Sequence, residues 1–181
     1  MNRNITTWLV AILLFSMFYP VKVWSAECTP TKTNTTLPET SLATCDKVDD
    51  KKLAVNTACT TIIKAAESEN MIGLAIDAGE EYTITVPEKQ TWCDASHSNT
   101  PPCGEPGNFS MNLFYLLKKV RESSWFSLIA EIKGENKPYD LCLDKNITAT
   151  EKGELILYAN DARGFYKNNS GEVLVKVYRH K

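Results

Sequence analysis

The chain opens with an almost unbroken apolar run from Trp8 to Phe18, preceded by Arg3 and broken by Pro20. The small residues Ser25 and Ala26 follow. A charge, an apolar stretch and small residues in that order predict a cleavable export signal over residues 1–26, and a secreted or periplasmic protein. The run is too short for an anchor, because crossing a bilayer takes about 20 apolar residues. No later segment is long and apolar enough to span, and Glu27 before Cys28 argues against lipidation there. Residues 27–45 are rich in Thr, Pro, Ser and Asn and predict a flexible lead-in. Residues 46–181 then form one domain.

Between residues 46 and 68, Leu53, Ala54, Thr57, Ala58, Thr61, Ile62 and Ala65 recur at threes and fours. This spacing predicts a helix, with an extended segment as the alternative favoured by the threonines. From residue 71 the pattern changes to β. Segments 71–76, 82–86, 111–117, 125–132, 139–143, 154–159 and 172–178 are apolar or alternating, and Gly, Pro and Asn clusters separate them. In the last of these, Val173, Val175 and Val177 share one face. Short strands between such turns predict an all-β fold, a β-sandwich or jelly roll, with an N-terminal extension that is partly helical.

Charge and cysteines narrow the function. Arg3 and Lys22 fall in the leader, so 20 basic residues become 18 against 22 acidic ones. A net acidic chain without a polybasic run argues against nucleic acid, and gives no basic segment for a membrane surface. All six cysteines follow the leader, as in a disulfide framework. Cys93–Cys103 is the expected local pair, closing the loop between them. Without CxxC, and with only His97 and His180, zinc is a poor fit.

The stretch from Tyr158 to Gly171 carries the chemistry. It sets Asn160, Asp161, Asn168 and Asn169 between two predicted strands, with Gly164 and Gly171 permitting tight turns. Carboxylate, amide and backbone oxygens are the ligands Ca²⁺ prefers. The same residue types also dominate ordinary turns, and this is not an EF-hand loop. Asn168-Asn169-Ser170 is in addition a glycosylation sequon, as are Asn34-Thr35-Thr36, Asn108-Phe109-Ser110 and Asn146-Ile147-Thr148. A glycan on Asn168 and a metal role there exclude one another.

Leu155-Ile156-Leu157-Tyr158, followed by Asn160-Asp161, Gly164 and Asn168-Asn169-Ser170-Gly171 before a Val-rich last strand, resembles the PA-I-type galactophilic, calcium-dependent bacterial lectins. The resemblance extends over residues 70–179, through Ile76-Asp77-Ala78-Gly79-Glu80 and Ser127 to Gly134. It implies a calcium ion held by the side chains of Asp161, Asn168 and Asn169 and by the carbonyls of Phe165 and Ile76. It also implies a galactose-type sugar whose O3 and O4 complete the shell, with Asp161 and Asn168 bonding those hydroxyls. Phe165 and Ile76 depart from the family's residues, but a carbonyl survives any substitution. The family's middle-loop contacts to the sugar's O6 have no clear match. His97 is the candidate there, with a solvated loop histidine as its rival. Trp92 offers a stacking face for a sugar or, equally, a core side chain. Family members are often oligomers, which makes a homo-oligomer an expectation too.

These features predict a sugar binder and no enzyme. Hydrolase chemistry of the Ser or Cys type needs a base beside its nucleophile, and the motifs HExxH, GxGxxG and the P-loop are missing from the sequence. A small glycosidase needs only two carboxylates. A disulfide-stabilised structural or adhesive module, whose calcium only stiffens its loop or has been lost altogether, is the other alternative.

Overall fold

The computed structural model describes residues 42–87, 89–94 and 97–181. The export signal and most of the lead-in lie outside them. The end of the lead-in does not behave as a tether. Thr60 donates its N–H to the Ala43 carbonyl at 3.0 Å, and Cys45 is buried in a disulfide with Cys59.

Two antiparallel sheets face each other. One has the order β1 (Ala58–Lys64), β12 (Glu172–Arg179), β3 (Glu81–Thr85), β9 (Asp144–Thr148). The other runs β2 (Asn70–Ile76), β10 (Gly153–Ala159), β7 (Trp125–Ile132), β6 (Cys103–Glu105), with β8 (Tyr139–Asp140) also on β7. A third, small sheet joins β11 (Asn169–Ser170), β4 (Trp92–Asp94) and β5 (His97–Thr100) at one end. The fold is therefore the expected all-β sandwich, since each sheet must bury its apolar face against the other. Val173, Val175 and Val177 from β12 meet Leu155, Leu157, Leu128 and Ala130 in one core.

Strands β7 and β10 are apolar on both faces for a reason. Their outer face carries a second cluster, Val120, Ile129 and Tyr158, covered by the chain around residues 118–120. A strand buried on both sides reads as a continuous apolar run rather than an alternating one.

Three expectations are corrected. The helix over 46–68 is replaced by two 3₁₀ turns at Cys45–Lys47 and Asp49–Lys51, then strand β1. The β-branched residues Thr60, Thr61, Ile62 and Ile63 suit a pleated surface, and pairing with β12 overrides the helical spacing. The apolar segment 111–117 is not a core strand. It forms helix α1 (Phe109–Leu113) and a 3₁₀ turn (Tyr115–Leu117). Asn108 caps α1 by accepting the Met111 N–H at 3.0 Å, which starts a helix where apolar content alone suggested a strand. Cys93 and Cys103 are not partners. Cys103 bonds Cys142, tying the β6 edge to the β8–β9 connection, and Cys93 is in a disulfide of its own.

Candidate functional site

The site is built by the loop that leaves β10 at Ala159 and returns through β11 to β12. Its first residue, Asn160, is fully buried and acts as a clasp. Its Nδ2 donates to the Val120 and Ser124 carbonyls, both at 2.8 Å, and its Oδ1 accepts the Val120 N–H at 2.9 Å. Its own carbonyl accepts the Phe126 N–H at 2.7 Å. Phe126 stands at φ +59°, a region that bulky residues rarely occupy. A second bond holds it there, from Trp92 Nε1 to the Phe126 carbonyl at 3.0 Å. Trp92 is fully buried. Of its two sequence readings, the core side chain is the one the structure takes.

Beyond the clasp, Asp161 and Asn169 face each other in the interior. Asp161 is 4% exposed and Asn169 5%. Asp161 Oδ1 accepts the Ala162 N–H at 2.6 Å, and its Oδ2 accepts Asn169 Nδ2 at 3.0 Å. Asn169 Nδ2 also donates to the Ala65 carbonyl at 3.2 Å. Its Oδ1 is buried with no hydrogen-bond partner among the described residues. Leaving such an oxygen unsatisfied costs about 1–3 kcal/mol, and among the described residues Thr91 Oγ1, Glu105 Oε1 and Tyr166 OH share this condition.

Pairing of β11 with β4 adds a residue that the sequence reading missed. Asn169 stands opposite Asp94, and Asn168 Nδ2 donates to Asp94 Oδ1 at 2.7 Å. Burial pushes the Asp94 carboxyl up to about 6, and the neighbouring Asp161 adds to the rise while His97 opposes it. Burial also raises Asp161, against the bonds from Asn169 and Ala162. Two desolvated carboxylates on one cleft favour a proton or a cation near them. Asp94 lies 67 positions before Asp161, and only the long-range register of the small sheet brings them together.

A cleft of about 210 Å³ opens on this group. Asp94, Asp161 and Asn168 form its polar side, and Met111, Phe114, Trp125 and Phe165 its apolar side. It is smaller than the ~300–1,000 Å³ of drug-sized pockets and suits a small ligand. Gly107 shapes one wall, because a Cβ there would stand 2.4 Å from Trp125 Cδ1.

The other predicted residues divide. Phe165 reaches the cleft, its ring centroid 4.9 Å from that of Phe114. Its carbonyl accepts the Asn168 N–H at 3.1 Å and keeps a second lone pair. His97 pairs with Asp94 across β4–β5, beside the site and off the cleft wall. Its Nε2 lies 2.7 Å from Asn108 Nδ2 and its Nδ1 3.1 Å from Glu105 Oε1. Ile76 is a correction. It pairs with Gly153 at the far end of β10. Six residues of strand, roughly 20 Å, separate it from Ala159 and the loop. Its turn is instead an ion-pair cluster, in which Glu80 Oε1 receives Arg179 at 2.6 Å and Lys52 at 3.1 Å.

The donor set fits a hard cation. It offers carboxylate, amide and carbonyl oxygens with one buried oxygen unpartnered. Among the described residues no group of three or more His, Cys, Asp or Glu is placed to hold a metal ion, so the fit depends on the amides.

No family model and no curated protein matches the chain. A solved structure described as the EclA N-terminal domain, a PllA-like lectin, is 25% identical with a TM-score of 0.49; the match covers 66% of this chain and 94% of that one.

Proposed function

We propose that this is an exported, calcium-dependent carbohydrate-binding protein, a lectin for galactose-type sugars. The observation that carries the reading is the buried Oδ1 of Asn169, without a hydrogen-bond partner among the described residues, on the side chain that bonds Asp161, which lines a small cleft together with Asp94. The disulfides suit an oxidising compartment. The sugar class rests on the resemblance of residues 158–171 to the galactophilic lectins.

Asp161, Asn169, Asn168, Asp94 and the Phe165 carbonyl are the groups that would hold the ion. Held there, a calcium ion would supply coordination positions open to two adjacent sugar hydroxyls. The chain does the rest. Asn160 fixes the backbone from which Asp161 projects. Asn168, held by Asp94, sits at the rim to orient hydroxyls. Phe114 and Phe165 give an apolar wall for the C–H face of a sugar ring.

One observation favours a second reading, a glycosidase: two acids share the cleft and one is raised to about 6. Against it, both Asp161 oxygens are already hydrogen-bonded, which blunts a nucleophile or base. A panel of immobilised sugars, probed with calcium and with chelator, tests the proposal. Galactoside binding that chelator abolishes, and that Asp161→Ala lacks, is the expected result. Binding indifferent to chelator would refute the metal's role, and sugar release from a chromogenic galactoside would favour the enzyme.

A further inference from the structure

The sandwich buries its apolar residues, yet one face outside it does not. Seven of the twelve exposed large hydrophobic side chains among the described residues lie at 109–117 and at Phe165. Phe109 is 82% exposed, Leu113 69% and Leu116 72%. Helix α1 turns only Met111 inward. The patch is firmly attached: Arg163 donates its N–H to the Leu117 carbonyl at 2.9 Å, and Lys118 bridges Ala162. A contiguous apolar surface of this kind marks a contact with a membrane, a ligand or a protein.

Charge around the patch selects the partner. Arg121, Arg163 and Lys167 are exposed at its rim, three cations against two exposed acids, Glu122 beside Arg121 and Glu69 in the hollow with Arg163 and Lys167. Arg121 Nη2 donates to the Leu116 carbonyl at 3.1 Å, which fixes a cation beside the apolar tip. Lys118 and Lys119 are already engaged. Lys118 donates to the Ser123 carbonyl, and Lys119 lies over the Tyr158 ring near Glu69 and Glu131. The basic rim comes from segments 42 residues apart (Arg121 to Arg163) in an acidic chain, so no run in the sequence displays it.

We propose that this face docks on the surface of an anionic phospholipid bilayer. Phe109, Leu113 and Leu116 enter the boundary between headgroups and acyl chains. Tyr115 lies at headgroup level, where amphipathic rings settle. Arg121, Arg163 and Lys167 meet the lipid phosphates. A second copy placed face to face on the patch would bring two such cation sets together, which charge opposes. Docking needs neither metal nor sugar.

The test uses the mature protein in chelator and without sugar, sedimented with phosphatidylcholine vesicles that contain or lack phosphatidylglycerol. Retention on the anionic vesicles is expected, weakening several-fold between roughly 0.05 and 0.5 M salt as the rim charges are screened. The exposed-site double variant Leu113→Glu/Leu116→Glu is expected to lose at least about tenfold in partitioning while melting as the parent does. Arg163→Glu/Lys167→Glu is expected to weaken anionic binding alone. Failure to sediment with anionic vesicles would overturn the proposal. So would sedimentation equilibrium showing a dimer that the double glutamate variant dissociates, because a second copy would then cover the face.

Discussion

Replacing Asn160 by alanine removes the clasp beneath the site while touching none of the cleft-lining atoms. Three short hydrogen bonds disappear, the two to Val120 at 2.8 and 2.9 Å in the interior and the one to Ser124 at 2.8 Å part-buried, together with a long one to the Ser123 carbonyl at 3.5 Å. Each is worth about 1 kcal/mol net. The abandoned N–H and carbonyl of the buried Val120 add about 1 kcal/mol more, because they lie away from water. The left-handed Phe126 then loses the rigidity of the carbonyl that holds its N–H. The sum is about 3–5 kcal/mol, a large part of the ~5–15 kcal/mol that stabilises a domain. Urea titration followed by tryptophan fluorescence measures it as a lower midpoint at unchanged slope. Asn160→Asp should be comparably harmful, since it keeps the acceptor, loses the donors and buries a charge. A cost below about 1 kcal/mol for Asn160→Ala would refute the clasp, because no single lost bond of this kind is worth less than about half that.

Other outcomes follow from the same geometry. Paired alanines at Cys103 and Cys142, whose separation is 39 residues, should cost about 4 kcal/mol on loop entropy, against about 3 kcal/mol for the pair at Cys45 and Cys59 with 14; equal urea midpoints for the two variants would contradict this. Trp92→Phe should cost about 1–2 kcal/mol through the lost bond to Phe126 and leave sugar affinity intact, whereas a stacking tryptophan would lose affinity. The pH profile has a definite sign. Asp94 holds its proton to about 6 in the folded protein and gives it up near 4 when unfolded, so the folded state binds more protons in that window. Metal-free stability should therefore fall as pH rises from about 4 to 6 and level off above, with the raised Asp161 acting in the same direction. Thermal melts in chelator would show this fall, calcium should abolish it, and a profile rising through that window would contradict it.

The legible and illegible parts of this chain differ in sequence range. Strands β10 and β12 and the turn residues between them are local signals, and they predict both the sandwich and the Asp161–Asn169 loop. Residues 111–117 were misleading because apolar content cannot tell a core strand from an exposed helical turn, and the Asn108 cap was the local cue to the latter. A turn of matching composition says nothing of which end of a sheet it occupies, and Ile76 stands at the end of β10 away from the loop. Asp94 could not be found, since its place depends on a two-residue strand pairing. The cysteine partners were likewise a matter of topology. Cys103 looks across to Cys142 because β6 and β8 flank the same strand, β7.

Isothermal titration tests the central claim most directly. Calcium, then a galactoside, is titrated into protein stripped with chelator, for the parent, Asp161→Ala and Asp94→Ala. One calcium site is predicted, with a dissociation constant of about 10⁻⁴–10⁻³ M as for other extracellular modules. Galactoside heat should appear only after calcium, and Asp161→Ala should abolish both. Weakened calcium binding is expected for Asp94→Ala. Galactoside heat in the stripped parent, or calcium binding that survives Asp161→Ala unchanged, would contradict the account.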